Sequence, residues 1–271
     1  MPLFSQVQGK PENPVLVFLH GFLGNTDDWS ETIKHLKDDY YCVCIDLPGH
    51  GDSFASAPPL QDGFQTCHHL IKSTLDDLQV KQYTFIAYSL GGRIALDYAR
   101  TQNDNGLQAL ILESCHTGLT EQADKEQRYI DDLDWAKRFA TQTMIESLEQ
   151  WYEQAVFSDL NDWEKELLIE KRSQNYGVYL ANMLLATSLS KQTDARPFLQ
   201  NNTIQAKPLP VYYCFGEKDL KFKKLAGSLA TQTNIQIMQF NGAGHNIHQQ
   251  MPLQYAQFIK QHIFNNTNSI N

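Results

Sequence analysis

A serine held between small residues at a strand-to-helix junction is the first place in this sequence where side chains could do covalent or proton chemistry. The run Tyr83-Thr-Phe-Ile-Ala-Tyr-Ser-Leu-Gly-Gly-Arg-Ile-Ala-Leu-Asp-Tyr98 reads as strand, turn and helix, with Ala87-Tyr88-Ser89-Leu90-Gly91 at the turn. So tight a turn requires small flanking residues and leaves the Ser89 hydroxyl exposed on a strained backbone at a helix N-terminus. Ala87 stands where the G-x-S-x-G pattern has its first glycine, and it still meets the size condition. A serine nucleophile or base needs a partner base, and that base needs an orienting acid. Asp219 follows the apolar run 211–215 in Gly216-Glu-Lys-Asp219, and His245 follows the run 235–240 in Gly242-Ala-Gly-His245. Each lies beyond the carboxyl end of a strand, at the edge that presents Ser89. Alone, Asp219 would read as a helix cap and His245 as a loop histidine; together, in this order, they are a candidate triad. An oxyanion hole completes the set, and the loop in Val17-Phe-Leu-His20-Gly21-Phe22-Leu23-Gly24 has the position and composition for one. The backbone N–H groups of Phe22 and Leu90 are its candidate donors.

Other motifs carry less. Asp46-Leu-Pro-Gly-His-Gly51 resembles part of a dinucleotide fingerprint, but the third glycine is missing and Asp52-Ser53-Phe54 opens no convincing helix. His245 and His248 have H-x-x-H spacing without an acid-rich partner, so no metal site is expected, and no cofactor. His68 and His69 point to different faces of a helix, and Cys42 and Cys44 share one face of a strand as core residues.

The elements that must position these residues recur along the chain. Nearly continuous apolar runs at 15–19, 41–45, 83–88, 109–112, 211–215 and 235–240 suit strands covered on both faces. Helical periodicity lies between them, as at 67–78 and 92–99, so the expectation is a parallel, doubly wound α/β sheet. From 119 to 199 there is no strand signal. That stretch holds Trp135, Phe139, Trp151, Tyr152, Phe157, Trp163, Leu167, Leu168, Leu180, Met183, Leu184 and Leu185 at helical spacing, read as the buried stripe of a helical subdomain. We therefore expect a core domain of 1–118 and 200–271 and a helical cap at 119–199, lying over the strand ends where open α/β sheets bind ligands. The polar tail 265–271 is expected to fray.

With 271 residues the chain suits one domain with a large insertion, and its 42% hydrophobic and 20% charged content is that of a globular protein. Lys and Arg number 22 against 31 Asp and Glu, a net charge of −9, with no basic run, which disfavours nucleic acid as a partner. No apolar run is long enough to span a membrane, and the first residues lack the basic and apolar regions of a secretory signal. Five cysteines with no C-x-x-C pair suit reduced thiols in a cytoplasm, and Asn201-Asn-Thr203 and Asn265-Asn-Thr267 read as chance matches to a glycosylation pattern.

His20-Gly-Phe22, Asp46-Leu-Pro-Gly-His-Gly51, Tyr88-Ser-Leu-Gly-Gly-Arg93, Gly216-Glu-Lys-Asp219 and Gly242-Ala-Gly-His245 together resemble the α/β-hydrolase superfamily. A narrower likeness rests on Cys115-His116-Thr-Gly-Leu119, Trp135-Ala-Lys-Arg-Phe139, Trp151-Tyr-Glu-Gln-Ala-Val-Phe157, Lys171-Arg-Ser-Gln-Asn175 and Ala186-Thr-Ser-Leu189. These resemble the synthases of 2-succinyl-6-hydroxy-2,4-cyclohexadiene-1-carboxylate in menaquinone biosynthesis, from about Val15 to Phe264. The resemblance implies a lyase that eliminates pyruvate from a small-molecule tricarboxylate, without cofactor. Carried over by motif, it implies substrate contacts from Tyr88, Arg93, Arg128, Trp151 and Arg172. The alternative is a serine hydrolase of esters or of C–C ring-cleavage products, on the same triad.

Overall fold

The computed structural model describes residues 2–267, with side chains to residue 263; the polar tail 265–271 falls at and beyond that limit, outside the described side chains. Strands β1 (Ser5–Gln8), β2 (Val15–Leu19), β3 (Tyr41–Ile45), β4 (Tyr83–Tyr88), β5 (Leu107–Glu113), β8 (Val211–Gly216) and β9 (Gln236–Phe240) form one sheet in the order β1-β3-β2-β4-β5-β8-β9. The short strands β6 (Thr203–Ile204) and β7 (Lys207–Pro208) pair with each other outside it. All pairings in the main sheet are parallel except β1 with β3.

Helices cover both faces, as continuous apolar strands require. On one face Val17, Val43, Phe85 and Leu110 pack with α2 (Gly63–Asp77), α3 (Leu90–Gln102) and α9 (Leu220–Gln232) through Ile71, Ile94 and Leu229. On the other Phe18, Cys42, Cys44 and Ile86 pack with α1 (Ser30–Ile33), α10 (Ile247–Gln250) and α11 (Pro252–Thr267) through Ile33, Ile247 and Ile259. Alternate residues of each strand thus go to opposite cores, which the period of two dictates.

Between β5 and β6 the chain is helical: α4 (Gln122–Thr141), α5 (Met144–Trp151), α6 (Asp162–Arg172), α7 (Gly177–Ala186) and α8 (Arg196–Asn201). Ala136, Phe139, Leu148, Tyr152, Phe157 and Leu180 form a third apolar cluster here, closed by Leu23 from the loop after β2. Two members of the expected stripe are exposed instead. Trp163 is 65% exposed and Leu167 45% exposed, because α6 turns Arg172 and Leu168 inward instead.

The strand β1 was not legible in the sequence. Ser-Gln-Val-Gln carries one apolar residue, as an antiparallel edge strand half open to solvent can. Likewise β5 begins at Leu107 rather than 109, the exposed Gln108 having masked its start.

Candidate active site

The carboxyl ends of the parallel strands bring Ser89, Asp219 and His245 to one edge, the position at which open α/β sheets bind ligands. Ser89 has φ 48° and ψ −107°, a strained conformation for a residue with a side chain. Its N–H donates to the Glu113 carbonyl at 2.9 Å, and its own carbonyl accepts from Arg93 N–H at 3.0 Å, so backbone on both sides holds the turn. Small neighbours are obligatory. A Cβ on Gly91 would fall onto the carbonyl oxygens of Leu19 and His20, and one on Gly21 would meet the Tyr88 ring.

Asp219 serves both readings that the sequence allowed. Its Oδ1 accepts from Phe222 N–H at 3.1 Å as the cap of α9, while Oδ2 contacts His245 Nδ1 at 2.6 Å. Both residues are buried, and the His245 ring is enclosed by Phe222, Tyr88 and Phe157 at centroid distances of 5.0, 5.2 and 6.0 Å. The carboxylate thereby fixes the Nδ1–H tautomer and leaves Nε2 as the basic atom. No hydrogen bond joins Ser89 Oγ to His245 among the described residues, a link that active sites often tighten only around substrate.

The loop after β2 is set by His20. Its Nδ1 lies 2.7 Å from the Gly21 carbonyl, and its Nε2 accepts from Leu47 N–H at 2.9 Å. Burial pushes its pKa down to about 4, so the ring is a neutral Nδ1–H donor to Gly21. The Gly21 carbonyl also accepts from Gly24 N–H at 3.1 Å. Since C=O and N–H of a trans peptide point oppositely, this holds the Phe22 N–H on the other side of that peptide. Among the described hydrogen bonds neither the Phe22 nor the Leu90 amide has an acceptor, as an oxyanion hole requires.

The five residues carried over for substrate contact fare differently. Arg93 is buried, donating from Nε to Gln192 Oε1 at 2.7 Å and from Nη2 to the Thr187 carbonyl, and lies over the Phe64 ring. Both acceptors are neutral and Arg93 forms no ion pair among the described residues, although Asp132 and Asp97 lie near enough to favour its charge. Arg128 donates from Nε to Asp132 Oδ1 at 2.8 Å, and Asp132 Oδ2 in turn accepts from Ser188 at 2.6 Å. Trp151 is half-buried with its ring 5.1 Å from Phe22 and 4.9 Å from Trp135, which places it against the loop after β2.

Tyr88 and Arg172 are committed to protein partners that the sequence did not reveal. The Tyr88 hydroxyl donates to Asn246 Oδ1, and its ring packs 4.8 Å from His248, inside the core behind the elbow. Arg172 is buried against Asp28, with Nη1–Oδ1 at 2.7 Å and Nη2–Oδ2 at 2.8 Å, and Lys171 reaches the same carboxylate at 2.9 Å. Burial disfavours the Arg172 charge, but Asp28 and Tyr152 outweigh burial and hold its pKa above the ordinary range. Its Nε and Nη1 make no hydrogen bond among the described residues, although Nη1 lies at ion-pair distance from Asp28. These partners lie far away in sequence and belong to no motif. His248 likewise sits at H-x-x-H spacing for a packing reason, since it contacts buried Glu113 at 2.8 Å and stacks on Trp29 at 4.2 Å.

The family described as alpha/beta hydrolase fold matches residues 14–251. A curated 2-succinyl-6-hydroxy-2,4-cyclohexadiene-1-carboxylate synthase of Escherichia coli O8 (strain IAI1) is 39% identical over 253 residues, 93% of this chain and 95% of its own. The solved structure of MenH from S. aureus overlays with a TM-score of 0.85 at 27% identity, covering 97% of this chain and 98% of that one. A thermophilic esterase from Thermogutta terrifontis reaches 0.78 at 20% identity, covering 97% and 93%, a likeness of fold alone.

Proposed function

This chain belongs to the α/β hydrolase fold family and, within it, to the 2-succinyl-6-hydroxy-2,4-cyclohexadiene-1-carboxylate synthases of menaquinone biosynthesis, and from that premise we propose how its residues eliminate pyruvate. It is an enzyme, and no described helix is long and apolar enough to cross a membrane. We read it as a cytoplasmic lyase whose substrate is 2-succinyl-5-enolpyruvyl-6-hydroxy-3-cyclohexene-1-carboxylate, a tricarboxylate.

His245, oriented by Asp219, takes the Ser89 proton, and Ser89 takes the substrate C–H proton acidified by the neighbouring succinyl ketone. The electron pair of that C–H bond passes to the ketone oxygen, where the Phe22 and Leu90 amides stabilise the developing negative charge. As it returns, a double bond forms between ring carbons 2 and 3, the existing ring double bond shifts from carbons 3 and 4 to carbons 4 and 5, the C–O bond to the enolpyruvyl group breaks, and pyruvate leaves as its enolate to be protonated. The His245 proton returns to the medium or to the leaving group, so no water is consumed. Trp151 and the helices 119–199, read as a cap, cover the reacting centre and exclude solvent.

The observation that carries this reading over ester hydrolysis is Arg93. A buried arginine one helical turn after the serine, anchored only by neutral acceptors, is a cation held ready for an anionic ligand. The test is to supply the enolpyruvyl substrate and follow pyruvate: one equivalent per turnover, with no acyl-Ser89 by mass spectrometry, supports proton abstraction. Brisk turnover of nitrophenyl esters without pyruvate release favours the hydrolase reading.

A further inference from the structure

One buried carboxylate in the helical stretch supports two of the three arginines at once. Asp132 lies on α4 one helical turn after Arg128 and is 2% exposed. Its Oδ1 accepts from Arg128 Nε at 2.8 Å, and its Oδ2 accepts from the Ser188 hydroxyl at 2.6 Å. Because a carboxylate offers only acceptors, the Ser188 hydrogen is spent on Asp132, and the Ser188 oxygen is left to accept from Ser190, whose N–H lies at 3.1 Å and hydroxyl at 2.7 Å. Ser188 thereby caps the short 3₁₀ turn Leu189–Lys191 and pins its start to Asp132. That same turn anchors Arg93. The Thr187 carbonyl ahead of it accepts from Arg93 Nη2, and the Gln192 side chain behind it accepts from Arg93 Nε at 2.7 Å. Gln192 in turn donates from Nε2 to the His116 carbonyl at 3.0 Å, and Thr187, Ser188 and Gln192 are all buried. Arg93 on α3 is therefore joined to Asp132 on α4 through Ser188 and the peptide before it.

The contact at Arg128 is of a different kind from that at Arg172. Arg172 turns both Nη groups to Asp28, at 2.7 and 2.8 Å, whereas Arg128 meets Asp132 through Nε and neither of its Nη groups has an acceptor among the described residues. A contact through Nε alone orients a guanidinium and leaves its two Nη groups for another carboxylate. Stability does not by itself call for such an arrangement, since taking a carboxylate out of water costs free energy that an apolar residue at 132 would not.

We propose that Asp132 is a positioning residue that presents Arg93 and Arg128 as a pair to carboxylates of the substrate, Arg128 by direct contact and Arg93 through Ser188. The proposal rests on the tricarboxylate reading and names the group that makes arginines from two separate helices act together. Asp132 works through these side chains and takes no part in proton transfer.

The experiment measures kcat and KM for pyruvate release in Asp132→Ala, in Ser188→Ala and, as a control, in Asp131→Asn, the exposed neighbour on the same helix. Asp132→Ala should raise KM for the enolpyruvyl substrate about tenfold with kcat changed less than about threefold, and Asp131→Asn should match wild type. Ser188→Ala leaves the Arg128 contact in place and should raise KM about threefold. The coupling is the sharper readout, because a merely structural role would not produce it: Ser188→Ala should add less than about 1.5-fold where Arg93 is already alanine, and keep its full effect where Arg128 is. A KM within about twofold of wild type for Asp132→Ala, or a Ser188→Ala effect undiminished by Arg93→Ala, overturns the proposal. Should Asp132→Ala fail to fold, the Ser188→Ala cycle decides alone. Binding of tricarballylate, measured by calorimetry, gives an arm independent of turnover. If wild type releases no pyruvate yet binds tricarballylate with the same coupling, the reaction assignment fails and the role of Asp132 stands. If pyruvate is released and the coupling is absent, the role of Asp132 fails alone, and a wild type that neither releases pyruvate nor binds tricarballylate overturns both.

Discussion

The sheet edge and the helical stretch between β5 and β6 both carry candidate site residues, and they hold them in different ways. At the sheet edge each group has at least one partner a few residues away: Asp219 has Phe222 N–H, the Gly21 peptide has His20 and Gly24, and Ser89 has Arg93 N–H beside the more distant Glu113 carbonyl. Two of the arginines are fixed by groups far off in sequence, Arg172 of the helical stretch by Asp28 and Arg93 of the core by Gln192 and Thr187, whereas Arg128 pairs with Asp132 one turn along its own helix. Local fixation suits groups whose geometry must not vary during proton transfer. Long-range fixation suits groups that must let go of one partner and take another as a ligand arrives. Arg93 and Arg172 mark the extremes, one held by neutral acceptors and the other by a carboxylate.

Among the substitutions that probe this contrast, Arg93→Ala has the largest expected effect and is the most direct way to break it. A desolvated arginine–carboxylate contact is worth about 3 kcal/mol, so kcat/KM for pyruvate release should fall about 100-fold. The exposed Lys81→Ala should change it less than twofold. An analogue without the gripped carboxylate should bind wild type and Arg93→Ala equally. If the analogue loses as much affinity as the substrate, Arg93 only supports α3 and the contrast with Arg172 collapses.

The same distinction governs what was legible in the sequence. Local fixation leaves local signatures, so Ser89 between small residues, Asp219 and His245 after strands, and the His20-Gly21-Phe22 loop could be read from types and spacing. Most of the parallel strands were legible because they are apolar on both faces, the edge strand β9 with its exposed Gln236 and Gln239 being the exception. Asp28, Gln192 and Asn246 were not, because residues 99 to 158 positions from their partners leave no periodic trace. The roles given to Arg93 and Arg172 came from resemblance, and no pattern in the sequence separated the uncompensated arginine from the paired one. The stripe in the insert was overread at Trp163 and Leu167, since helical spacing tells which residues share a face and not which face is buried.

Asp28→Asn tests the other extreme and should read out mainly as stability. Burial alone would raise the Asp28 pKa, but Arg172 and Lys171 outweigh burial and hold the carboxyl well below the usual range. Removing its charge leaves Arg172 buried with a weaker partner, at a cost of about 2–3 kcal/mol at neutral pH by chemical denaturation. A depressed carboxylate contributes stability above its unfolded pKa and loses it as pH falls toward the folded value. The gap between wild type and variant should therefore shrink below about pH 4, by about 1.4 kcal/mol per unit. A gap that stays constant down to pH 3 would mean that Asp28 stabilises by packing and not by its charge.

The smallest expected effect lies at the seam between the two regions, where the insert touches the histidine loop. Gly244 N–H donates to Gln250 Oε1 at 2.6 Å, and Gln250 Nε2 donates to Asp159 Oδ2 at 2.8 Å, next to His245. The Asp159 contact is exposed, so its loss in Asp159→Ala should cost less than about 1 kcal/mol of stability. Its kinetic effect is more informative. If the seam positions the His245 loop, kcat should fall about two- to fivefold with KM unchanged, and Asp159→Asn, which can still accept from Gln250, should recover most of it. A change confined to KM would mean that the seam only positions the insert over the substrate, and that the histidine loop is held entirely by Asp219 and the backbone around it.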